Sequence, residues 1–309
     1  MIVLWGLEGD SPLAMVGAAL GLRGAPLFFL NQAAVLESRL EIDDPLGARG
    51  TVSDGSRTIA LESARGVYLR PFDTRRLPAY VALPEAHPGR TKAIATDDAI
   101  LGWCETATGT VVNRPSAMGS NNSKPYQAAL IAAAGFEVPD TLVTNDAEAV
   151  RAFRARHGRL IYKSTSGIRS IVATLGDDFE ARVDTLATCP TQFQAYVPGR
   201  DIRVHVVGPR VFATEIQSDA DDYRYGALDG RAPSLAPFLL PPDLEQAACD
   251  LTRALGLEVS GIDLRLRPDG RPVCFEVNPS PGFSFYEGAT GQPIAAAIAD
   301  LLIDADEDP

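Results

Sequence analysis

Hydrophobic positions along the chain fall into short blocks that switch between strand and helix periods. The apolar run IVLWG (2–6) predicts a first strand, 12–23 a helix that Ser11 can cap, and PLFFL (26–30) a second strand. That is the start of an α/β unit. Between 49 and 70 the runs TVSDG, RTIALES and GVYLRP are separated by turn residues, which predicts small strands and hairpins. A helix is expected over 97–109. The run VVNRP follows, and the loop SAMGSNNS leads into a helix over 124–134 that Gly135 ends. Residues 137–143 read as extended chain and Asp146 as the cap of a helix over 147–156. Strands at 160–164 and 171–174 flank a loop of small residues, and another is expected at 191–197. The runs 201–208 and 210–218 form a hairpin across Gly208-Pro209. A helix over 244–255 ends at Gly256. Strands at 259–268 and 273–282 flank the turn Pro268-Asp269-Gly270, and a helix over 293–302 precedes an acidic tail. The order divides the chain into an α/β segment, 1–112, a second α+β segment, 113–185, and a more antiparallel one, 186–309.

Charge narrows the partners. The net charge is −12, so nucleic acid, which needs clustered cations against phosphates, is not an expected partner. One nucleotide pocket needs only a few local cations. No basic region precedes an apolar stretch at the start of the chain, so a secretory signal is not expected. The most apolar stretch, 13–30, carries Arg23, three glycines and Pro26, which argues against a membrane span. Cys104, Cys189, Cys249 and Cys274 form no CxxC pair. Free thiols in a reducing cytoplasm are expected, and a structural zinc site is not.

The common P-loop, dinucleotide, zinc-protease, nucleophile-elbow and kinase motifs are absent, and His87, His157 and His205 are scattered. What remains is oxygen and cations. Asp263 sits in GIDLR, while Glu276 and Asn278 sit two apart in FEVNPSPG and so share a strand face. If the turn sets these strands side by side, two carboxylates and an amide form an all-oxygen cluster suited to Mg²⁺. The intervening Ile262, Leu264, Phe275 and Val277 are then expected in the core. A solvated hairpin face is the alternative. Of 28 Lys and Arg residues only Lys92, Lys124 and Lys163 are lysines, so a retained ammonium can mark an anion site. Lys163 ends an apolar strand before a Ser/Thr/Gly loop, and Lys124 opens a helix after a loop. Arg203, Arg224 and Arg265 are further cations that one phosphate and one carboxylate could share. Arg70, Arg75 and Arg76 form either a solvated loop or a contact to an acidic substrate.

These elements resemble an ATP-grasp ligase over essentially the whole chain: VVNRP, SKPYQAALIAAAGFEVPDTLVT, LIYKS, FQAYVPGRDIRVHVVG, RVFATEIQ, DYR, GIDLR, FEVNPSPG and TGQPIAAAIADLL. GRDIRVHVVGPRVFATEIQS with DYR and the closing TGQPI look like the microviridin or graspetide type, which macrocyclises ribosomally made peptides. The ribosomal-protein glutamate ligases are more distantly similar. The resemblance implies an α/β, α+β chain with an N-terminal domain and two modules clasping ATP. It implies that Lys124 and Lys163 bind the ATP phosphates. Gln194, Ala195, Tyr196 and Val197 would be the hinge against adenine, and Asp201 would lie near the ribose. Arg203, Arg224 and Arg265 would hold the transferring phosphoryl group and the acyl phosphate. Asp263, Glu276 and Asn278 would hold Mg²⁺, for which Mn²⁺ could substitute. A departure is Gln194-Ala195, where related ligases often carry an acidic residue. The implied enzyme is cytoplasmic, ADP-forming and free to be a homodimer. Its implied partner is a precursor peptide with a leader segment, whose carboxylates it joins to hydroxyls or amines. The alternative is a glutamate-ligase-like enzyme that adds an amino acid to a small molecule or protein terminus.

Overall fold

The computed structural model describes residues 1–44, 46–164, 173–176, 179–180, 186–218 and 233–304. Strand β1 (Ile2–Gly6) runs through the helix Ser11–Leu22 into β2 (Leu27–Asn31), and the two strands pair in parallel. The helix is capped by Asp10 and not by Ser11. The Asp10 carboxylate accepts from the Leu13 N–H at 2.9 Å, one residue past Pro12, which has no N–H to offer.

Strands β3 (Arg39–Ile42), β4 (Gly50–Ser53) and β5 (Thr58–Ala60) form a small antiparallel sheet. Strand β6 (Gly66–Arg70) leaves that series and pairs in parallel with β1, Ile2 opposite Gly66 and Gly6 opposite Arg70. With β7 (Thr110–Val112) the order is β2-β1-β6-β7. The hairpin reading of 66–70 is therefore corrected. Its first four residues are all buried, as a parallel strand covered on both faces requires. One cover is the helix Pro88–Thr106, nine residues longer at its start than the sequence suggests, because His87 accepts from the Gly89 N–H and Pro88 opens the first turn. Its Ile100, Trp103 and Cys104 pack on Val3, Trp5, Val67 and Leu69. The other cover joins Leu13, Val16 and Leu20 to Ile294, Ile298 and Leu302 of the helix Ile294–Ile303, so the last helix of the chain closes the first sheet.

Strands β8 (Thr141–Thr144), β9 (Leu160–Ser164), β10 (Ala173–Thr174) and β11 (Thr191–Ala195) form a sheet ordered β10-β9-β11-β8. Leu142, Tyr162 and Phe193 pack on Val150 and Phe153 of the helix Ala147–His157, which Asp146 caps. Alternation sends Ile161, Lys163, Gln192 and Gln194 to the opposite face.

Strands β12 (Arg200–Val207), β13 (Arg210–Gln217), β14 (Ser234–Phe238), β15 (Val259–Leu266) and β16 (Pro272–Asn278) form an antiparallel sheet ordered β14-β13-β12-β15-β16. Ile202, Val204, Val206, Ile262, Leu264 and Val277 pack on Leu244, Ala248 and Leu251 of the helix Pro242–Ala254. That face is dry, and the other carries charge. Among the described residues no helix is long and apolar enough to cross a membrane. The four cysteines are unpaired.

Candidate active site

Alternation along the C-terminal sheet places Asp201, Arg203 and His205 of β12, Gly261, Asp263 and Arg265 of β15, and Glu276 and Asn278 of β16 on one face. Asp263 stands opposite Glu276, and Gly261 opposite Asn278. The three oxygen donors thus share a face, with directly opposed residues about 5 Å apart between Cβ atoms. The register shifts after Asp263, and Leu264 faces Cys274. This bulge absorbs Phe275. The expectation that Phe275 lies in the core is corrected: Cys274 is the fully buried residue, and the Arg265 guanidinium stacks 5.4 Å from the Phe275 ring. Burial, reinforced by the Asp263 and Glu276 charges, pushes the Cys274 thiol far up and keeps it neutral.

The arginines are held from several sides. Arg203 Nη1 donates to Asp263 Oδ1 at 2.7 Å, and its Nε donates to His205 Nε2 at 3.4 Å. Its guanidinium lies 5.7 Å from the Tyr286 ring, which His205 also meets edge-on. Burial, and then the Arg203 charge, hold the His205 imidazole well below its ordinary pKa, so it is a neutral acceptor. Gly261 makes room for Arg203: a Cβ there would lie 2.3 Å from Nη2. Arg265 donates from Nε and Nη2 to the Asp201 carboxylate at 2.7 and 2.9 Å, and from Nη1 to the Val197 carbonyl at 2.9 Å. The Arg159 and Arg265 guanidiniums lie 3.9 and 5.7 Å from the Tyr196 ring. In the segment expected to be the hinge, Ala195 N–H donates to Asp140 O and Tyr196 N–H to Arg159 O, so both groups are engaged within the protein.

On the middle sheet Lys163 is buried opposite Gln192. Gln192 Oε1 and Gln194 Oε1 are buried on that same face and have no hydrogen-bond partner among the described residues. Buried acceptors of this kind call for a donor. Lys124 opens the helix Lys124–Ala133. One turn on, Gln127 Nε2 donates to Val277 O at 2.7 Å, and Val277 N–H donates to Gln127 Oε1 at 3.1 Å. A buried side-chain amide thus docks the helix onto the edge strand between Glu276 and Asn278.

The loop after Asn278 is clamped to the N-terminal sheet. Arg70 donates to Asp10 Oδ1 at 2.7 Å, Ser280 Oγ at 3.0 Å and Pro281 O at 3.1 Å. Asn113 donates to Val259 O and Pro279 O and accepts from Glu258 and Val259 N–H, which satisfies its whole amide. Arg70 is therefore an internal clamp and not part of a solvated loop. Arg75 and Arg76 are exposed. Arg224 lies outside the described residues. His205, Gly261 and Gln127 were not singled out by the sequence, although His205 follows Arg203 by two and shares its strand face.

Among the described residues no group of three His, Cys, Asp or Glu gathers as a metal centre. The cluster here is two carboxylates and an amide, a donor set that fits a hard cation completed by water and phosphate.

A family model described as the RimK-like ATP-grasp domain matches residues 121–302, more than half of the chain. A protein of Aliivibrio salmonicida named "Probable alpha-L-glutamate ligase" is 37% identical over 105 residues, covering 34% of this chain and 34% of that protein. Human beta-citrylglutamate synthase B is 28% identical over 218 residues, covering 66% of this chain and 56% of its own length. The matched stretch spans about a third of the first of these relatives and just over half of the second. The ATP-grasp ligase PsnB, solved with a minimal precursor, Mg and ADP, superposes with a TM-score of 0.81 at 26% identity, covering 99% of this chain and 98% of that one. A RiPP-associated ATP-grasp ligase of Chryseobacterium gregarium superposes at 0.83 and 23% identity, covering 100% and 97%, a likeness of fold. Fold, polar face and family model agree: the chain belongs to the RimK-like ATP-grasp family.

Proposed function

We propose that this chain is an ADP-forming ligase that activates side-chain carboxylates of a ribosomally made precursor peptide and joins them to hydroxyls or amines of the same peptide. The observation that carries this reading is the single polar face on which Asp263, Glu276 and Asn278 lie beside Arg203 and Arg265. The whole-chain likeness to PsnB, a ligase solved with a precursor, supports the peptide as substrate.

In this reading Asp263, Glu276 and Asn278 hold Mg²⁺, which when bound neutralises charge on the phosphate oxygens. Lys163 and Lys124 hold the phosphates of ATP. Gln192 and Gln194 lie on the nucleotide face, where their free acceptors can take N–H donors. A substrate carboxylate oxygen attacks the γ-phosphorus and ADP leaves. Arg203 and Arg265 stabilise the transferring group electrostatically inside the cleft. A hydroxyl or amine then attacks the acyl carbon, phosphate departs and the nucleophile's proton leaves with it. No enzyme nucleophile is needed, in keeping with the absence of a Ser-His-Asp arrangement in the sequence.

A second reading, a ligase that adds glutamate to a small molecule or protein terminus, is favoured by the names of the sequence relatives. Incubation with a Ser/Thr- and Asp/Glu-rich peptide, free glutamate, ATP and Mg²⁺ separates them. Loss of water from the peptide mass supports crosslinking, and a gain of one glutamyl residue supports the second reading. Hydroxylamine should trap a hydroxamate with release of ADP. Release of AMP in its place would refute acyl-phosphate chemistry.

A further inference from the structure

The N-terminal sheet has its own switch point. The connection leaving β1 crosses one face through the helix Ser11–Leu22, and the connection leaving β6 crosses the other through the helix Pro88–Thr106. Adjacent strands whose crossovers diverge open a crevice at their carboxyl ends, the usual ligand position in a parallel sheet. A cleft of ≈ 290 Å³ lies there. Trp5 near the end of β1, Phe72, Asp73 and Arg75 just past β6, and Asp97 and Asp98 of the long helix are among its walls.

The cleft is built by a buried polar network. Gln32 accepts from the Phe72 N–H at 2.7 Å and donates to the Phe72 carbonyl at 2.8 Å, which fixes the segment after β6. The same Nε2 donates to Asp97 Oδ2 at 2.7 Å, and Thr74 Oγ1 bonds that oxygen as well. Asp97 is 6% exposed, and its second oxygen, Oδ1, is buried with no hydrogen-bond partner. An orphaned carboxylate oxygen in a preformed wall asks for a donor. Asp73 and Asp98 add two carboxylates at the rim, where Arg75 is the cation among the lining residues and the Arg76 guanidinium lies 5.3 Å from the Phe72 ring. The apolar walls suit an alkyl stem, and the acidic floor suits its charged end.

We infer that this cleft receives a Lys or Arg side chain of the peptide substrate, its aliphatic stem against Trp5 and Phe72 and its cationic head toward Asp97 and Asp98. The identity of the bearer rests on the peptide reading above; the cation selectivity does not. Arg70, which clamps the loop next to Asn278, directly precedes the cleft segment.

The test is binding by the full chain, with no ATP present. Both tryptophans of the chain, Trp5 and Trp103, belong to the core beside the cleft, so intrinsic fluorescence reports on it. N-acetyl-lysine and N-acetyl-arginine methylamides are titrated against the neutral N-acetyl-norleucine methylamide. A saturable change is expected for the cationic probes, with the neutral isostere weaker by about tenfold or more. Asp97→Asn should weaken the cationic probes by about tenfold, and the exposed Asp98→Asn, which spares the buried network, by roughly threefold. Equal binding of charged and neutral probes, no saturable change with folded wild type, or undiminished binding by Asp98→Asn together with a folded Asp97→Asn would overturn the inference. Wild type that binds the cationic probes but never modifies a peptide would leave the cleft standing and sink the peptide reading.

Discussion

Gln127 offers the sharpest test of how the site is assembled. Gln127→Met keeps the side-chain length and removes both bonds to Val277. Gln127 is 3% exposed, so the Val277 N–H and C=O are left buried and unpaired. Each orphaned group costs about 1–3 kcal/mol, so the variant should lose about 2–6 kcal/mol. The second effect is positional. The amide fixes the helix that Lys124 opens against the strand between Glu276 and Asn278, so its loss lets the ammonium drift from the position at which we propose it holds the ATP phosphates. A drift that forfeits about 1.4 kcal/mol of nucleotide binding raises the KM for MgATP about tenfold. The control is Thr252→Val, which orphans Ser260 Oγ behind the sheet, where the two hydroxyls now bond at 2.6 Å. Both variants should melt earlier in thermal denaturation, but only Gln127→Met should raise KM in steady-state ADP-release assays. If Gln127→Met lowers the melting temperature and leaves KM unchanged, Gln127 is a packing residue and the coupling of the phosphate helix to the oxygen cluster is refuted.

Three further outcomes are expected. Lys163→Ala and Glu276→Ala should each cut turnover to below about a tenth while leaving the far-ultraviolet dichroism unchanged; a variant retaining more would mean that less than ~1.4 kcal/mol of barrier rests on that residue. In Gly261→Ala the new methyl meets Arg203 Nη2 at 2.3 Å and Pro281 Cβ at 2.7 Å, so Arg203 must leave Asp263, and turnover should fall with a stability loss of about 1–3 kcal/mol; wild-type turnover would show that Arg203 is not needed in its present place. Burial alone would raise the Asp300 carboxyl, but Arg23 at 2.6 Å and Arg210 at 2.7 Å outweigh it and hold it below the usual range. A depressed carboxylate stabilises the fold above its unfolded pKa of about 3.9 and loses that contribution as pH falls through the lower folded value. The advantage of wild type over Asp300→Asn in thermal melts should therefore be full near neutrality and shrink below about pH 4; an advantage that grew on acidification would contradict the ion-pair account.

Periodicity by itself determined most of the elements. The strand Leu160–Ser164 and the hairpin across Gly208-Pro209 were legible because alternation and turn residues are local properties of the chain. So was the sharing of one face by Glu276 and Asn278, since residues two apart on one strand project to the same side, whereas Asp263 joined them only through the strand register. What alternation could not show was partner choice. GVYLR reads equally well as a hairpin arm or a parallel strand, and only burial on both faces assigned it beside β1. The bulge that exchanges Phe275 for Cys274 in the core is likewise invisible to a period of two, because the register of β16 depends on its neighbour. The Gln127 bonds to Val277 span 150 residues and Arg70 to Ser280 spans 210, and no local signal reports contacts of that separation. Side-chain chemistry was written in the sequence, and the convergence of that chemistry was decided by sheet order and helix docking, since buried backbone and charged groups must find partners wherever in the chain those partners lie.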